Sequence, residues 1–270
     1  MSETPSDFIA ARGNLIAACT EMERMLSGLN DSHGRVADEI HQVRKLGKRL
    51  RGGLTVIGEA KPCIRWIAVI GRMLGASRDA VVRSKTWDDL EIDCSAPASA
   101  EAAISAMLGL EAHAAARRPP QPVIDWSLAA LGQVKGRLEA RTDEETAQLA
   151  EAGSHHLKKQ LKKRLKRALQ RVDNEDFHAC RKAAKAWLGG MSLVAPELDL
   201  PAKAETEKLA DSLGNENDLE VLATWLTERG FTHATTRVAW KSLLKRQEKI
   251  RRRSIALIRK ELLPALGGKH

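Results

Sequence analysis

The 270-residue chain is 29% charged, with a formal net charge of +9. Its hydrophobic content of 43% excludes an intrinsically disordered protein. Only 3% of its residues are aromatic, which argues against an all-β sandwich. No uncharged run exceeds eleven residues, which excludes a membrane-spanning helix, and the first residues do not resemble a signal peptide. The four cysteines are widely separated, so we expect a reducing cytoplasm rather than a disulfide framework or a zinc knuckle.

Apolar residues recur at spacings of three, four and seven along most of the chain, as in amphipathic helices. Prolines mark a helix start at Pro62 and connectors near 119–122 and 196–201. No alternating strands separated by hairpin turns are evident, so we predict an all-α fold of helical bundles joined by short loops. The predicted helices cover residues 36–57, 157–172, 219–229 and 238–263, with an Ala-rich helix near 99–116.

Basic residues are concentrated in three segments, 41–51, 155–185 and 237–260. These 66 residues hold 26 of the 44 Lys and Arg residues but only 4 of the 35 Asp and Glu residues. The rest of the chain is therefore acidic overall. Such segregation favours a site for a polyanion over a uniformly solvated surface.

Two motifs occur twice in the same order. The pattern H-x-x-R-K-x-x-K begins at His41 and again at His178, 137 residues later. A Leu-Gly pair followed by an Asp begins at Leu74 and again at Leu213, 139 residues later. We predict one domain over 1–270, built from related halves at about 8–150 and 151–266 with a boundary near 145–155.

The first motif places its polar residues on one face of a helix. Residues at i, i+3, i+4 and i+7 lie above one another, and like charges at that spacing cost about 0.2–0.5 kcal/mol per pair. An anionic ligand would compensate this repulsion. The two faces are His41, Arg44, Lys45 and Lys48, then His178, Arg181, Lys182 and Lys185.

The order of the motifs is similar to that of a known family. It reads His41-x-x-Arg44-Lys45-x-x-Lys48-Arg49-x-Arg51, Arg65-Trp66, Leu74-Gly75-x-x-Arg78-Asp79, then the second His-x-x-Arg and the second Leu-Gly-x-x-x-Asp. This order resembles the CHAD domain, the conserved histidine α-helical domain, from about residue 8 to the end. The chain has no Glu-x-Glu-x-Lys signature of the triphosphate-tunnel hydrolase domains that often accompany this family, so we interpret it as a stand-alone domain.

The resemblance implies two pseudo-symmetric four-helix bundles with a basic cavity between them that binds long-chain inorganic polyphosphate. We expect a cytoplasmic protein, and association with polyphosphate granules is one of the roles that such binding leaves open. No membrane partner and no cofactor are expected, and the oligomeric state stays open.

The resemblance also implies the binding residues. The first motif matches the family fully, whereas the second departs from it at Ala186, Leu188 and Gly189. The basic helix 158–171 could supply the cations that the second motif lacks on its side of the cavity. The predicted polyphosphate-binding residues are His41, Arg44, Lys45, Lys48, Arg49, Arg51, Arg78, His178, Arg181, Lys182, Lys185, Lys162 and Lys166.

Metal and catalytic roles are disfavoured by the local pattern. Neither His41 nor His178 has a second His, Cys or carboxylate three or four residues on, so we predict no metal site. Asp79 and Asp218 each follow a Leu-Gly pair that we expect to form a turn, so we interpret them as N-caps or ion pairs that orient a basic helix rather than as catalytic groups. Without a P-loop, a nucleophile elbow or paired carboxylates, we do not expect an enzyme, although a phosphate-processing role stays an alternative.

Two further alternatives remain open at this point. Non-sequence-specific nucleic-acid binding is allowed by the charge, although few aromatic residues are available for base stacking. The pattern of the segment around Arg251 is equally consistent with a solvated face and with a wall of the site.

We expect a core role for five tryptophans, Trp66, Trp126, Trp187, Trp225 and Trp240.

Overall fold

The computed structural model describes residues 3–29, 36–96, 99–115 and 118–267, without the side chains of residues 76–78. These residues form helices and connecting turns with no strand, so the all-α prediction is confirmed. A 3-10 turn (Pro5–Phe8) precedes α1, and a π-helical segment (Ile258–Leu262) joins the last two helices. The helices are α1 (Ala11–Gly28), α2 (Val36–Val56), α3 (Lys61–Met73), α4 (Gly75–Asp88), α5 (Ala100–Ala115), α6 (Gln121–Glu139), α7 (Asp143–Arg171), α8 (Asn174–Val194), α9 (Lys203–Glu228), α10 (Arg237–Leu257) and α11 (Leu263–Ala265).

The helix order is consistent with the internal repeat. Helices α2 and α8 correspond at an offset close to 137, and α5 and α10 correspond in the same way. Helix α7 runs through the expected boundary near 145–155 and begins at Asp143, where the side chain of Thr142 accepts a hydrogen bond from the backbone of Glu145. The helices therefore break between the halves at residues 140–142.

The two Leu-Gly pairs differ in backbone structure. Leu74 leaves the helical region and separates α3 from α4, as a turn would. The second pair, Leu213 and Gly214, lies inside the uninterrupted helix α9, so our expectation of a second turn is wrong. Both residues are buried against the rest of the molecule, and packing holds the helix intact there.

The apolar core is divided into two clusters, each of which takes residues from both halves. The larger cluster joins α1, α2, α3 and α6 to α7, α8 and the start of α9. The smaller cluster joins α4 and α5 to the end of α9 and the start of α10. The two halves therefore share their cores. Within the described ranges, no helix has both the length and the apolar character needed to cross a lipid bilayer.

The tryptophans follow the predicted core pattern with one exception. Trp187, Trp225 and Trp240 are buried, and Trp66 packs half-buried against the larger core. Trp126 is 38% exposed, so its predicted core role is wrong. Two residues after the buried Ile124, it points about 200° around α6, away from the core.

Helices α2 and α8 cross at glycines. A Cβ atom on Gly52 would lie 2.6 Å from the backbone nitrogen of Gly190 and 2.8 Å from the carbonyl oxygen of Ala186. A Cβ atom on Gly190 would lie 2.8 Å from a methyl carbon of Val56. The pair Gly52-Gly53 recurs as Gly189-Gly190 at the offset of 137. The repeat thus contributes glycines to both sides of the crossing, and backbones approach where side chains would keep them apart.

The crossing predicts that Gly190→Ala destabilises the protein. The new methyl group would force α2 and α8 apart, and overpacking of this kind costs about 1–3 kcal/mol. Urea unfolding monitored by circular dichroism measures the change. Gly136→Ala is the matched control, because its Cβ would meet nothing within 4 Å and alanine favours the helix by roughly 0.5–1 kcal/mol. Equal stability of the two variants would contradict the close crossing.

Candidate functional site

The basic faces of α2 and α8 come together beside the crossing. Burial, together with cations of both helices, lowers the pKa of Lys48 to about 8. Lys48 keeps access to solvent, so its ammonium group is open to a ligand. The two repeats therefore converge on one cluster of positive charge. The cations that act on Lys48 are Arg44, Lys185, Arg181 and Arg51.

Arg44 is held in place by residues of the following helices. Its Nη1 donates a hydrogen bond of 2.9 Å to the carbonyl oxygen of Gly71, and its Nη2 lies 3.4 Å from Oδ1 of Asp79. A Cβ atom on Gly75 would lie 2.5 Å from Nη1 of Arg44, so a larger residue there would displace the guanidinium group from this position. The Leu-Gly-x-x-x-Asp motif therefore positions the side chain of Arg44. Gly75 leaves space for the guanidinium group, and Asp79 is its ion-pair partner rather than an N-cap.

The second half repeats this arrangement with looser contacts. A Cβ atom on Gly214 would lie 3.7 Å from Nζ of Lys185 and 3.9 Å from Nε of Arg181. Burial lowers the pKa of Arg181, and Asp218 only partly opposes the shift. Among the described residues, the buried Nε of Arg181 has no hydrogen-bond partner. Burial and Arg181 also lower the pKa of Lys185, so positive charge is under-compensated on this side as well.

Three other predicted residues of α2 have different surroundings. Arg49 donates from Nε to Oγ of Ser192 at 2.9 Å and from Nη2 to its carbonyl oxygen at 3.2 Å, so it ties α2 to α8. Lys45 is exposed beside the cluster. Partial burial lowers the pKa of Arg51, and the neighbouring Arg72 of α3 contributes. Arg72 is a cation near the site that the motifs did not identify.

His178 and Lys182 line an open cleft of about 820 Å³ next to the cluster. Burial, Lys182 and Arg181 lower the pKa of His178 below its ordinary value. Glu220 and a hydrogen bond with Asn217 act in the opposite direction without outweighing them. His178 is therefore mainly neutral at pH 7 and would gain charge beside an anion.

Two arginines outside the motifs also line this cleft, whose lining includes three glutamates, Glu175, Glu220 and Glu228. Arg83 reaches it from α4 and Arg164 from α7. Arg83 also lies 2.9 Å from Glu111, which fixes its position. Arg164 was part of a recognised basic segment, but periodicity alone could not tell which of its residues faces the cleft. Arg83 carried no sequence signal, because it enters the cleft only through the packing of α4 on α9.

The predicted residues of α7 lie elsewhere. Lys162 donates to the carbonyl oxygen of Gly267 at 2.5 Å, so it contacts the C-terminal segment. Lys166 is exposed and is not among the residues that line the cleft beside His178. Arg78 is in α4, but its side chain lies outside the described residues. His41 is half-buried on the basic face of α2.

Arg251 belongs to the scaffold. Its guanidinium group donates to Glu216 at 2.7 Å and to Asn174 at 2.8 Å, and it stacks 4.1 Å from the ring centre of Phe177. It is therefore neither a solvated residue nor a wall of the basic cluster. In the part of the chain that the structure describes, no group of three or more His, Cys, Asp or Glu residues could hold a metal ion.

Comparison with known proteins agrees with this architecture. The family model of the CHAD domain matches residues 21–227, and the chain belongs to that family. The crystal structure of the CHAD domain from the plant Ricinus communis is similar over 100% of this chain and 93% of the plant chain. Its TM-score is 0.60 at 20% sequence identity, which shows a shared fold. A search of curated proteins finds no match.

The cluster predicts an unusual titration for Lys48. Its pKa should be about 8 in the wild type and should rise in Lys185→Gln, because removal of a nearby cation favours the protonated ammonium. Nuclear magnetic resonance of reductively ¹³C-methylated protein measures this pKa directly. The same substitution at the exposed Lys241 should leave the pKa of Lys48 unchanged. A wild-type value near 10.5 would show that the two helices do not form one cluster.

Proposed function

We propose that the cluster formed by α2 and α8 binds long-chain inorganic polyphosphate. The observation that carries this proposal is the close approach of α2 and α8 at Gly52 and Gly190, which brings cations of both repeats near the ammonium group of Lys48. Folding against such repulsion is costly, and a polyanion would relieve it. Lysine and arginine suit phosphate because both donate charge-assisted hydrogen bonds, and arginine can donate two at once.

The surroundings of the cluster favour an unbranched chain of phosphates over a small anion. The cleft beside His178 places three further cations next to the cluster, Lys182, Arg83 and Arg164, within a lining that also holds three glutamates. One long chain can engage many cations for a single loss of translational freedom. Polyphosphate granules in the cytoplasm are the natural place for such a protein.

Nucleic-acid binding is the less favoured alternative. A single-stranded nucleic acid is usually held by aromatic side chains that stack on its bases. The tryptophan in the wall of the cleft, Trp225, is buried, donates to Glu111 at 2.9 Å and has Arg229 stacked 4.3 Å from its ring centre. It is not available to a base. Polyphosphate has no bases, so its binding requires cations but no aromatic side chains for stacking.

We further propose a binding domain rather than an enzyme. Asp79, which lies 3.4 Å from Arg44, and Asp218, which acts electrostatically on Arg181, serve as counter-ions of the motif arginines. A carboxylate occupied in this way is poorly suited to activate water. Release of orthophosphate from polyphosphate by the purified protein, lost in Asp79→Asn or Asp218→Asn, would contradict this proposal.

Charge reversal at the centre of the cluster tests the binding site. In Lys48→Glu/Lys185→Glu, affinity for long polyphosphate should fall at least about a hundredfold, or about 2.7 kcal/mol, because contacts to charged groups are worth roughly 1.5–3 kcal/mol each. Isothermal titration calorimetry at fixed salt measures the loss. Neither lysine is needed for a hydrogen bond between described residues, so the melting temperature should not collapse.

The matched control is Lys241→Glu/Lys245→Glu on α10. It changes the net charge equally, at two exposed lysines with the i, i+4 spacing. If the control weakens binding as much as the reversal in the cluster, only net charge matters and the site is assigned wrongly. Equal affinity of the wild type for duplex DNA and polyphosphate would favour the nucleic-acid alternative.

A further inference from the structure

Helix α7 carries a second basic surface that the central cluster does not use. Residues 158–171 hold eight Lys and Arg residues, and no Asp or Glu occurs from 152 to 172. The face turned away from the core carries Lys159, Lys163 and Lys166, all exposed. Among the residues that the structure describes, no carboxylate lies within ion-pair distance of these three. We call them the outer face of α7.

The helix dipole does not explain this surface. Positive side chains stabilise a helix C-terminus, but the effect falls off within the last turn. The outer face begins at Lys159, more than three turns before the helix ends at Arg171. Its neighbouring like charges at spacings of three and four residues repel each other. A solvated face that only had to be polar would mix in carboxylates, as the first turn of α7 does with Asp143 and Glu144.

Helix geometry joins the outer face to the cleft beside His178. Arg164 lies on the flank of α7 that lines this cleft. Arg167 follows three residues later on the same flank, where its Nε lies 2.7 Å from Oδ1 of the buried Asp176 while the side chain stays partly exposed. Lys163 lies four residues before Arg167. Residues three and four apart are neighbours on a helix surface, so basic side chains lead without a gap from the cleft around α7 to its outer face.

We propose that the outer face of α7 binds the part of a long polyphosphate chain that leaves the cleft, and so makes the domain selective for long chains. This inference rests on the proposed function. A short chain is satisfied by the central cluster and the cleft, whereas a long chain continues past Arg164 onto Lys163, Lys159 and Lys166. The second contact is intramolecular once the first has formed, so it adds affinity for long chains alone.

The test compares two chain lengths in one variant. Lys159→Gln/Lys163→Gln/Lys166→Gln should bind polyphosphate of roughly 100 units at least about tenfold more weakly than the wild type, with affinity for roughly 8 units unchanged within about twofold. The slope of log affinity against log salt should fall by about 2 for the long chain, at about 0.7 per lost contact. Glutamine keeps the helix, and circular dichroism verifies this.

The control is the triple glutamine variant of Lys241, Lys245 and Lys249, three exposed lysines on α10. The inference is overturned if this control loses as much long-chain affinity, if both chain lengths lose equally in the α7 variant, or if neither does. It is also overturned if the α7 variant loses duplex DNA binding while polyphosphate binding is retained. The proposed function fails separately if the wild type does not bind the short chain or if Lys48→Glu/Lys185→Glu leaves its affinity unchanged.

Discussion

The close crossing of α2 and α8 is the constraint on which the rest of the structure depends. Two helices that carry the same basic motif would ordinarily pack apart, because their charges repel. Gly52 and Gly190 allow their backbones into contact, and the apolar residues on the opposite faces of both helices are buried in one core. Burial of those faces leaves the two basic faces side by side. The site is thus a consequence of how the helices pack.

The carboxylates of the molecule show how such a cluster is tolerated. Asp79 holds Arg44, and Asp218 acts on Arg181 and Lys185 from the corresponding position of the second half. These counter-ions position the arginines without neutralising the cluster, because the cations around Lys48 still lower its pKa in addition to the effect of burial. The buried carboxylate of Glu59 serves the scaffold instead. Arg137 and Arg141 each lie 3.0 Å from buried Glu59, and burial, which opposes ionisation of Glu59, is outweighed so that its pKa is lowered.

The helical fold and the motif faces could be predicted because they depend on periodicity and on a repeat that any helix displays in its sequence. The spacing of His41, Arg44 and Lys48 already placed them on one face. The packing of that face beside the basic face of α8 depends on glycines. The recurrence of Gly52-Gly53 as Gly189-Gly190 is the sequence signal that predicts this close approach.

Other parts of the site depend on tertiary packing and left no local signal. Arg83 reaches the cleft from the first half only because α4 packs on α9. The basic segment of α7 was recognised, but the side chains that point to the cleft and to solvent could be separated only once the core-facing stripe was known. Lys162, expected at the site, contacts Gly267 instead.

The most direct test of the account measures stability and binding together in Lys48→Gln at pH 7 and low salt. Because the folded state lowers the pKa of Lys48, its charged form is disfavoured by folding, and a neutral side chain should raise the free energy of unfolding. The same change should weaken polyphosphate binding, since a cation is lost. Opposite changes in stability and affinity would support a cluster held together for a polyanion. A variant that loses both, or changes neither, would contradict it.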